Sequence, residues 1–421
     1  MTSPTARGDE PTAAAELVAR ESYGRLLALL ASGSRDIPAA EDALADAFER
    51  ALRAWPAGGI PTNPTGWIFT VARNRLRDRF RSADHRRADG GRGYGPRELV
   101  MDDSIDLDAI GDKRLELMFV CAHPAIDPAV RAPLMLQTVL GFDATQIAKI
   151  FVVPAPAMAQ RLVRAKRRIK DAGIAFVIPD RSLMPSRLPA VLEAVYGTYA
   201  IDWQLVAGVT ARESAAGEAL FLATLLADLL PGEPECLGLA ALICFSMSRS
   251  RARLDADGML VPLDAQDPRE WDAQLIDRGE ALLARAHAAG RSTAAAFGRF
   301  QLEAAIQSVH AARRRSGQVD WDALRRLHEA LAASAPSLGV LVSLAAVIGH
   351  TDPSVGLNTL DELGERIARF QPAWATRAAL AAATGDVATA TAAYAKAISL
   401  TTDGPSRRFL ERELRTLGER G

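Results

Sequence analysis

Cysteine is scarce in this chain: Cys121, Cys236 and Cys244 are the three in 421 residues, scattered and odd in number. That excludes a disulfide framework and fits a reducing compartment. Aromatic residues are 6% of the total and β-branched runs are few, which argues against a sheet-built core. An excess of charge is also missing, with 50 basic against 51 acidic side chains. Bulk electrostatics therefore cannot hold a polyanion, and any nucleic-acid affinity has to come from local patches. No apolar run reaches the ~18–20 residues a membrane-spanning helix needs, and the basic-then-apolar order of a signal peptide is absent. The expectation is a soluble, cytoplasmic protein with no membrane partner.

The signatures of catalysis are missing too. The histidines (His85, His123, His287, His310, His328 and His350) are dispersed, with no HExxH or other ligand spacing. Cys121 and His123 stand two apart, too few ligands for zinc. There is no glycine-rich phosphate loop and no G-x-S-x-G elbow. Asp255 and Asp257 in 255-DADGML-260 begin like a calcium loop, but no Glu follows at the twelfth position and Pro262 intrudes, so a turn is expected. No enzyme, metal or cofactor is read from this sequence.

What is abundant is alanine and leucine, within a hydrophobic content of 49%. Both favour helix, and the class expected is all-α. Residues 1–12 are polar and expected to fray. Helices are expected over 14–32 and 38–55, with Asp36 capping and Pro38 in the first turn of the second. A third runs from Pro64 to about Arg81. Then 82-SADHRRADGGRGYGPRE-98 shows neither helical nor strand period and reads as a flexible linker. Helices resume near Asp112. The proline-containing 178-IPDRSLMPSRLP-189 looks like a second joint. Beyond it, 371-QPAWATRAALAAATGDVATATAAYAKAISL-400 carries the small/large pattern of a tetratricopeptide helix pair in Ala378, Gly385, Ala390, Tyr394 and Ala397.

Two segments concentrate positive charge. In the first, 144-ATQIAKIF-151 reads as a helix, 152-VVPA-155 as a turn and 156-PAMAQRLVRAKRRIK-170 as a second helix. Met158, Leu162, Ala165 and Ile169 form one buried stripe. Gln160, Arg164 and Arg167 point away from it, flanked by Arg161 and Arg168. From 161 to 170 there are six Lys/Arg and no acid, which suits a helix–turn–helix whose second helix enters a DNA major groove. In the other, 67-WIFTVARNRLRDRFR-81, Ile68, Ala72, Leu76 and Phe80 recur at fours, with Trp67 and Val71 widening the buried face. Thr70, Arg73, Asn74, Arg77 and Arg81 share the opposite face. An Asn amide among guanidiniums can bond a base edge while the arginines take phosphates. The preceding 38–55 helix turns Ala40, Leu44, Phe48, Ala51, Leu52 and Trp55 inward. Asp42, Asp46, Glu49 and Arg53 line its outer face, where an acidic surface suits a protein contact or plain solvation.

Taken together, 40-AEDALADAFERALRAW-55 with 64-PTGWIFTVARNRLRDRFR-81 resembles region 2 of bacterial extracytoplasmic-function sigma factors of the sigma-70 family. The run 134-LMLQTVLGFDATQIAKIFVVPAPAMAQRLVRAKRRI-169 resembles their region 4. Residues 177–421 resemble the long helical, tetratricopeptide-like extension of one subgroup, through 231-PGEPECLGLAAL-242, 261-VPLDAQDPREWD-272, 301-QLEAAIQSVHA-311 and 405-PSRRFLERELRTL-417. The resemblance implies region 2 at 1–88, a linker at 89–112, region 4 at 113–176 and the extension at 177–421. It implies a protein that binds core RNA polymerase, at the β′ clamp and β flap, and directs promoter-specific initiation. Asp42, Asp46 and Glu49 would meet polymerase, and the loop 56–63 would hold a flipped base of the −10 element. Arg73, Asn74, Arg77 and Arg81 would grip the −10 strand. Gln160, Arg161 and Arg164 would read −35 bases, with Lys166, Arg167 and Arg168 nearer phosphates. The extension would regulate the factor by contact with the sigma modules. Four places depart from the family pattern: Gln146 replaces an acid, Ala159 a base, 199-YAIDWQ-204 a polar Asn-Glu-Gly stretch, and 341-LVSLAAVIG-349 lacks an Asn-Arg pair. The alternative reading is a helix–turn–helix regulator with a tetratricopeptide-like sensor and no polymerase role; it leaves 36–81 unexplained.

Overall fold

Asp36 starts the second helix as its sequence context implies. One carboxylate oxygen accepts from the Ala39 backbone N–H at 3.1 Å, and Pro38 occupies the first turn. The computed structural model describes residues 6–88, 113–151, 153–180, 182–204, 209–293 and 297–420, so the linker expected at 89–112 lies outside the described residues. Every regular element among the described residues is helical, apart from an isolated bridge between Leu254 and Leu260. The chain is an all-α protein. It divides into two units, Met1–Thr198 and Tyr199–Gly421.

The first unit holds α1 (Ala6–Ser34), α2 (Ile37–Gly58), α3 (Pro64–Ala88), α4 (Arg114–Cys121), α5 (Pro128–Leu140), α6 (Ala144–Ile150) and α7 (Ala155–Asp171). Helix α1 starts earlier than expected, because Pro11, Ala15 and Val18 fall at helical spacing and are all buried. It forms a wall shared by α2 and α3 on one side and α4 and α5 on the other. The crossing with α5 is close: a Cβ on Gly24 would lie 1.6 Å from the Val139 carbonyl oxygen, so no larger residue fits there without displacing a helix. Helix α8 (Met184–Gln204) contains the division between the units, C-terminal to the joint expected from its prolines.

The second unit continues through α9 (Val209–Leu229), α10 (Pro234–Ser248), α11 (Ala273–Thr293), α12 (Arg299–Ser316), α13 (Trp321–Ser334), α14 (Leu338–Thr351), α15 (Pro353–Asp361), α16 (Gln371–Thr384), α17 (Val387–Leu400) and α18 (Gly404–Arg420). Helix α10 is apolar on all sides and buried along nearly its whole length, packed by α9, α11 and α12. From α12 onward each helix packs on the next, as in a solenoid. Gly356 lets α15 approach α14, since a Cβ there would meet the Gly349 Cα at 2.6 Å. The hairpin expected at 371–400 is present. Gly385 ends α16 at φ +80°, Asp386 caps α17, and Ala378, Ala390, Tyr394 and Ala397 are buried between them. The segment 255–260 is the expected turn, with the Asp255 carboxylate accepting from the backbone N–H groups of Asp257 and Met259. Buried Arg313 fastens the chain after that turn: it donates to the backbone oxygens of Asp264 and Gln266 and lies 4.9 Å over the Trp271 ring.

Candidate nucleic-acid interface

The first half of α3 is anchored more deeply than its period suggests. Residues 66–72 are buried without a break, and Trp67 packs edge-on against Trp55 of α2, centroids 5.6 Å apart. Thr70, expected on the outer face, is buried, and its hydroxyl donates to the Gly66 carbonyl at 2.9 Å. Phe80, expected in the buried stripe, is 40% exposed. Residues 77–81 are all exposed, so α3 has passed the edge of its supporting helices there. The cationic surface accordingly begins at Arg73, whose guanidinium lies 5.7 Å over Phe69. Asn74 is half-buried beside it. Arg77 and Arg81 are exposed and hold no ion pair among the described residues.

The arginines between them are used differently. Arg75 bonds Asp46 at 2.7 Å and Arg79 bonds Asp42 at 2.8 Å, across the antiparallel α2–α3 hairpin. Two carboxylates four residues apart meet two guanidiniums four residues apart. That spacing was visible in the sequence but does not by itself say which helices face each other. Glu49 pairs with Arg53 on its own helix. All three acids are exposed, and exposed pairs contribute only about 0–1 kcal/mol each. Asp42, Asp46 and Glu49 can therefore exchange these partners for another cation at little cost. On α2 itself, Leu52 is 46% exposed and Phe48 half-buried, so the inward face is narrower than expected and centres on Ala40, Leu44, Ala51 and Trp55.

Helix α6, a short turn and α7 reproduce the helix–turn–helix. Met158, Leu162, Ala165 and Ile169 are all buried. The Asp143 carboxylate accepts from the N–H groups of Thr145 and Gln146, and the Gln146 side chain accepts from the Asp143 N–H at 2.9 Å. Gln146, the departure from an acidic residue, thus closes a reciprocal cap at the start of α6. Gln160, Arg161, Arg164, Arg167 and Arg168 are exposed. Lys166 is the exception. It is 8% exposed, and its ammonium donates to both Glu41 carboxylate oxygens, at 2.9 and 2.7 Å. In this conformation it is turned into the unit and cannot meet a phosphate. One turn on, Lys170 pairs with Asp36 at 2.7 Å, on the oxygen not occupied by capping. Long-range burial of this kind has no signal in the local pattern of α7.

Among the described residues, neither a metal cluster nor a reactive thiol competes with this reading. No grouping of three or more His, Cys, Asp or Glu suited to a metal occurs among the described residues. Cys121, Cys236 and Cys244 are free and buried, and burial pushes all three thiols up, Cys121 to about 12 and Cys244 to about 11. No helix among the described residues is long and apolar enough to cross a membrane.

Residues 19–86, covering most of α1 to α3, match the family described as Sigma-70 region 2. Residues 187–287 match a family of unknown function, DUF6596. The chain belongs to the sigma-70 family of transcription-initiation factors and carries a long helical C-terminal extension. It is 33% identical over 391 residues to an uncharacterized protein of Rhizobium meliloti (strain 1021), a match covering 90% of each chain. It is 32% identical over 145 residues to the probable ECF RNA polymerase sigma factor SigI of Mycobacterium tuberculosis, covering 33% of this chain and 49% of that protein. No solved structure matches.

Proposed function

We propose that this protein binds core RNA polymerase and directs it to a specific class of promoters, reading the −35 element with α7 and gripping the −10 element with α3. The observation that carries the reading is the pair of cationic helices, each standing on a buried stripe and each with an outer face rich in cations, where on α7 Arg167 also lies 3.7 Å from Asp171. On α7 that face is Gln160, Arg161, Arg164, Arg167 and Arg168; on α3 it is Arg73, Asn74, Arg77 and Arg81. A groove-reading helix needs side chains that form hydrogen bonds with base edges, flanked by cations for phosphate, and α7 supplies both. A strand-capturing helix needs positive charge near aromatic surface, which Arg73 over Phe69 and exposed Phe80 provide.

Asp42, Asp46 and Glu49 on α2 present carboxylates for the polymerase β′ clamp, with the region 4 module against the β flap. The helical second unit acts on the sigma modules as a regulator. Gel filtration of the full chain with core polymerase, without DNA, tests the first step. Co-elution at equal stoichiometry supports it. A chain that binds promoter duplex but not polymerase would instead be a helix–turn–helix regulator.

A further inference from the structure

We infer that the groove along α12, between α11 and α13, is a binding site for an elongated lipophilic cation, an aromatic or alkyl body carrying one positive charge. Three helices make the space. Both α11 and α13 pack on α12, but the α12 face between them carries Ala305, Ser308 and Ala312, which are too small to fill it. Leu283 of α11, Leu302 of α12 and Leu327 of α13 line its sides. The result is an open-sided cavity of about 770 Å³, within the range of roughly 300–1,000 Å³ that small-ligand sites occupy.

The length of the groove sets the shape of its occupant. Gln301 and Arg315 both line it, fourteen residues apart on α12, so it runs about 21 Å at a rise of 1.5 Å per residue. A peptide helix of that length is about 10 Å across and fills roughly 1,600 Å³, about twice what the groove holds. An extended peptide is narrower but would press unpaired backbone N–H and C=O groups against apolar walls. A slender molecule with few polar atoms avoids both costs.

The two ends differ, and their chemistry sets the charge. At one end His287 and Phe297 stack, with centroids 5.7 Å apart and planes at 15°, and Phe297 is 52% exposed. A ring left open at the mouth offers its face to a planar or alkyl group. At the other end Glu280 and Asp320 share the lining with a single guanidinium, Arg315. Arg315 and Glu280 pair at 2.7 Å. One Asp320 oxygen caps α13, accepting from the Ala323 N–H at 2.8 Å, and the carboxylate forms no ion pair among the described residues. The hydrogen bond with Glu280, then the charges of Glu280 and Asp277, hold the Arg315 guanidinium above its ordinary pKa. Arg314 is exposed and lies on the far side of α12 by helical rotation. Acids outnumber bases at this end, so a ligand cation gains there and an anion is repelled.

The test is a fluorescence titration of the full-length chain, without polymerase or DNA. Thioflavin T, a slender aromatic cation, should bind at one site per chain and about ten-fold more tightly than anilinonaphthalene sulfonate, an aromatic anion. Dodecyltrimethylammonium below its micelle concentration should displace it. Phe297→Ala should weaken thioflavin T binding about five-fold, and Glu280→Gln about ten-fold. Glu329→Gln removes an exposed acid of α13 that pairs with Arg325 and should change nothing. Ala305→Trp, which fills the groove, should abolish binding with the helical circular dichroism intact. Thioflavin T binding that survives either Phe297→Ala or Glu280→Gln unchanged overturns the inference, as does equal or tighter binding of the anion. A chain that takes up neither dye also overturns it and leaves the groove to a protein partner. None of these measurements involves promoter or polymerase, so their failure leaves the sigma-factor reading untouched.

Discussion

Replacing Gly24 by alanine tests the packing of the first unit at its tightest point. The added methyl would sit 1.6 Å from the Val139 carbonyl oxygen and 2.6 Å from the carbonyl carbon. Ordinary contact begins near 3.4 Å, so α1 and α5 would have to part by nearly 2 Å. Overpacking usually costs about 1–3 kcal/mol, and the upper end applies because the obstacle is backbone and no rotamer change relieves it. Alanine regains roughly 1 kcal/mol over glycine within a helix, leaving a net loss of about 2 kcal/mol. At a urea dependence of about 2 kcal/mol per molar, the midpoint should fall by about 1 M with an unchanged slope. The assay is urea titration read by hydrogen exchange of α1 and α5 peptides, which separates this unit from the other. Gly33→Ala is the control, because nothing lies within 4 Å of a Cβ there; it should be neutral or slightly stabilising. Equal midpoints for the two variants would refute the close crossing.

Three further outcomes follow from the same geometry. Arg164→Ala should cost roughly 1–3 kcal/mol in binding a preferred −35 duplex and relax discrimination at one position; unchanged selectivity would reassign Arg164 to phosphate or structure. In the second unit, burial and then Arg249, His328 and Arg313 lower the His310 pKa from 6.5 to about 4. Its unfolded form takes up protons first, so stability should fall as pH drops from 6.5 toward 4, by about 2 kcal/mol at pH 5. His310→Gln should flatten that dependence, and an unaltered pH profile would sink the assignment. Truncation after Thr198, at the division between the units, should change the yield of promoter-dependent transcript; an identical yield would make the extension a passive adaptor.

Much of the first unit was legible because one-dimensional periodicity maps directly onto buried stripes. Met158, Leu162, Ala165 and Ile169 are buried as their spacing implies, and Asp36 and Pro38 mark the start of α2 by local chemistry alone. The misreadings share one cause. Thr70, Phe80 and Lys166 each sit on a helix read correctly, but their exposure depends on where the neighbouring helix ends or which module covers them. Thr70 is enclosed by its surroundings, Phe80 lies past the supporting wall, and Lys166 finds a carboxylate 125 residues away. Gln146 stood out as a departure from the family pattern until its reciprocal bond with the Asp143 N–H showed that the cap is made without a charge. The pairing of Asp42 and Asp46 with Arg79 and Arg75 left a trace in matching four-residue spacings, which do not by themselves say which helices face each other.

The central claim is tested most directly by transcribing fragmented genomic DNA with core polymerase, with and without the purified chain, and sequencing the 5′ ends of the transcripts. The account predicts discrete start sites that require the chain, preceded by two shared motifs about 25 base pairs apart, near −10 and −35. Start sites that do not depend on the chain, or that share no upstream motifs, would contradict it.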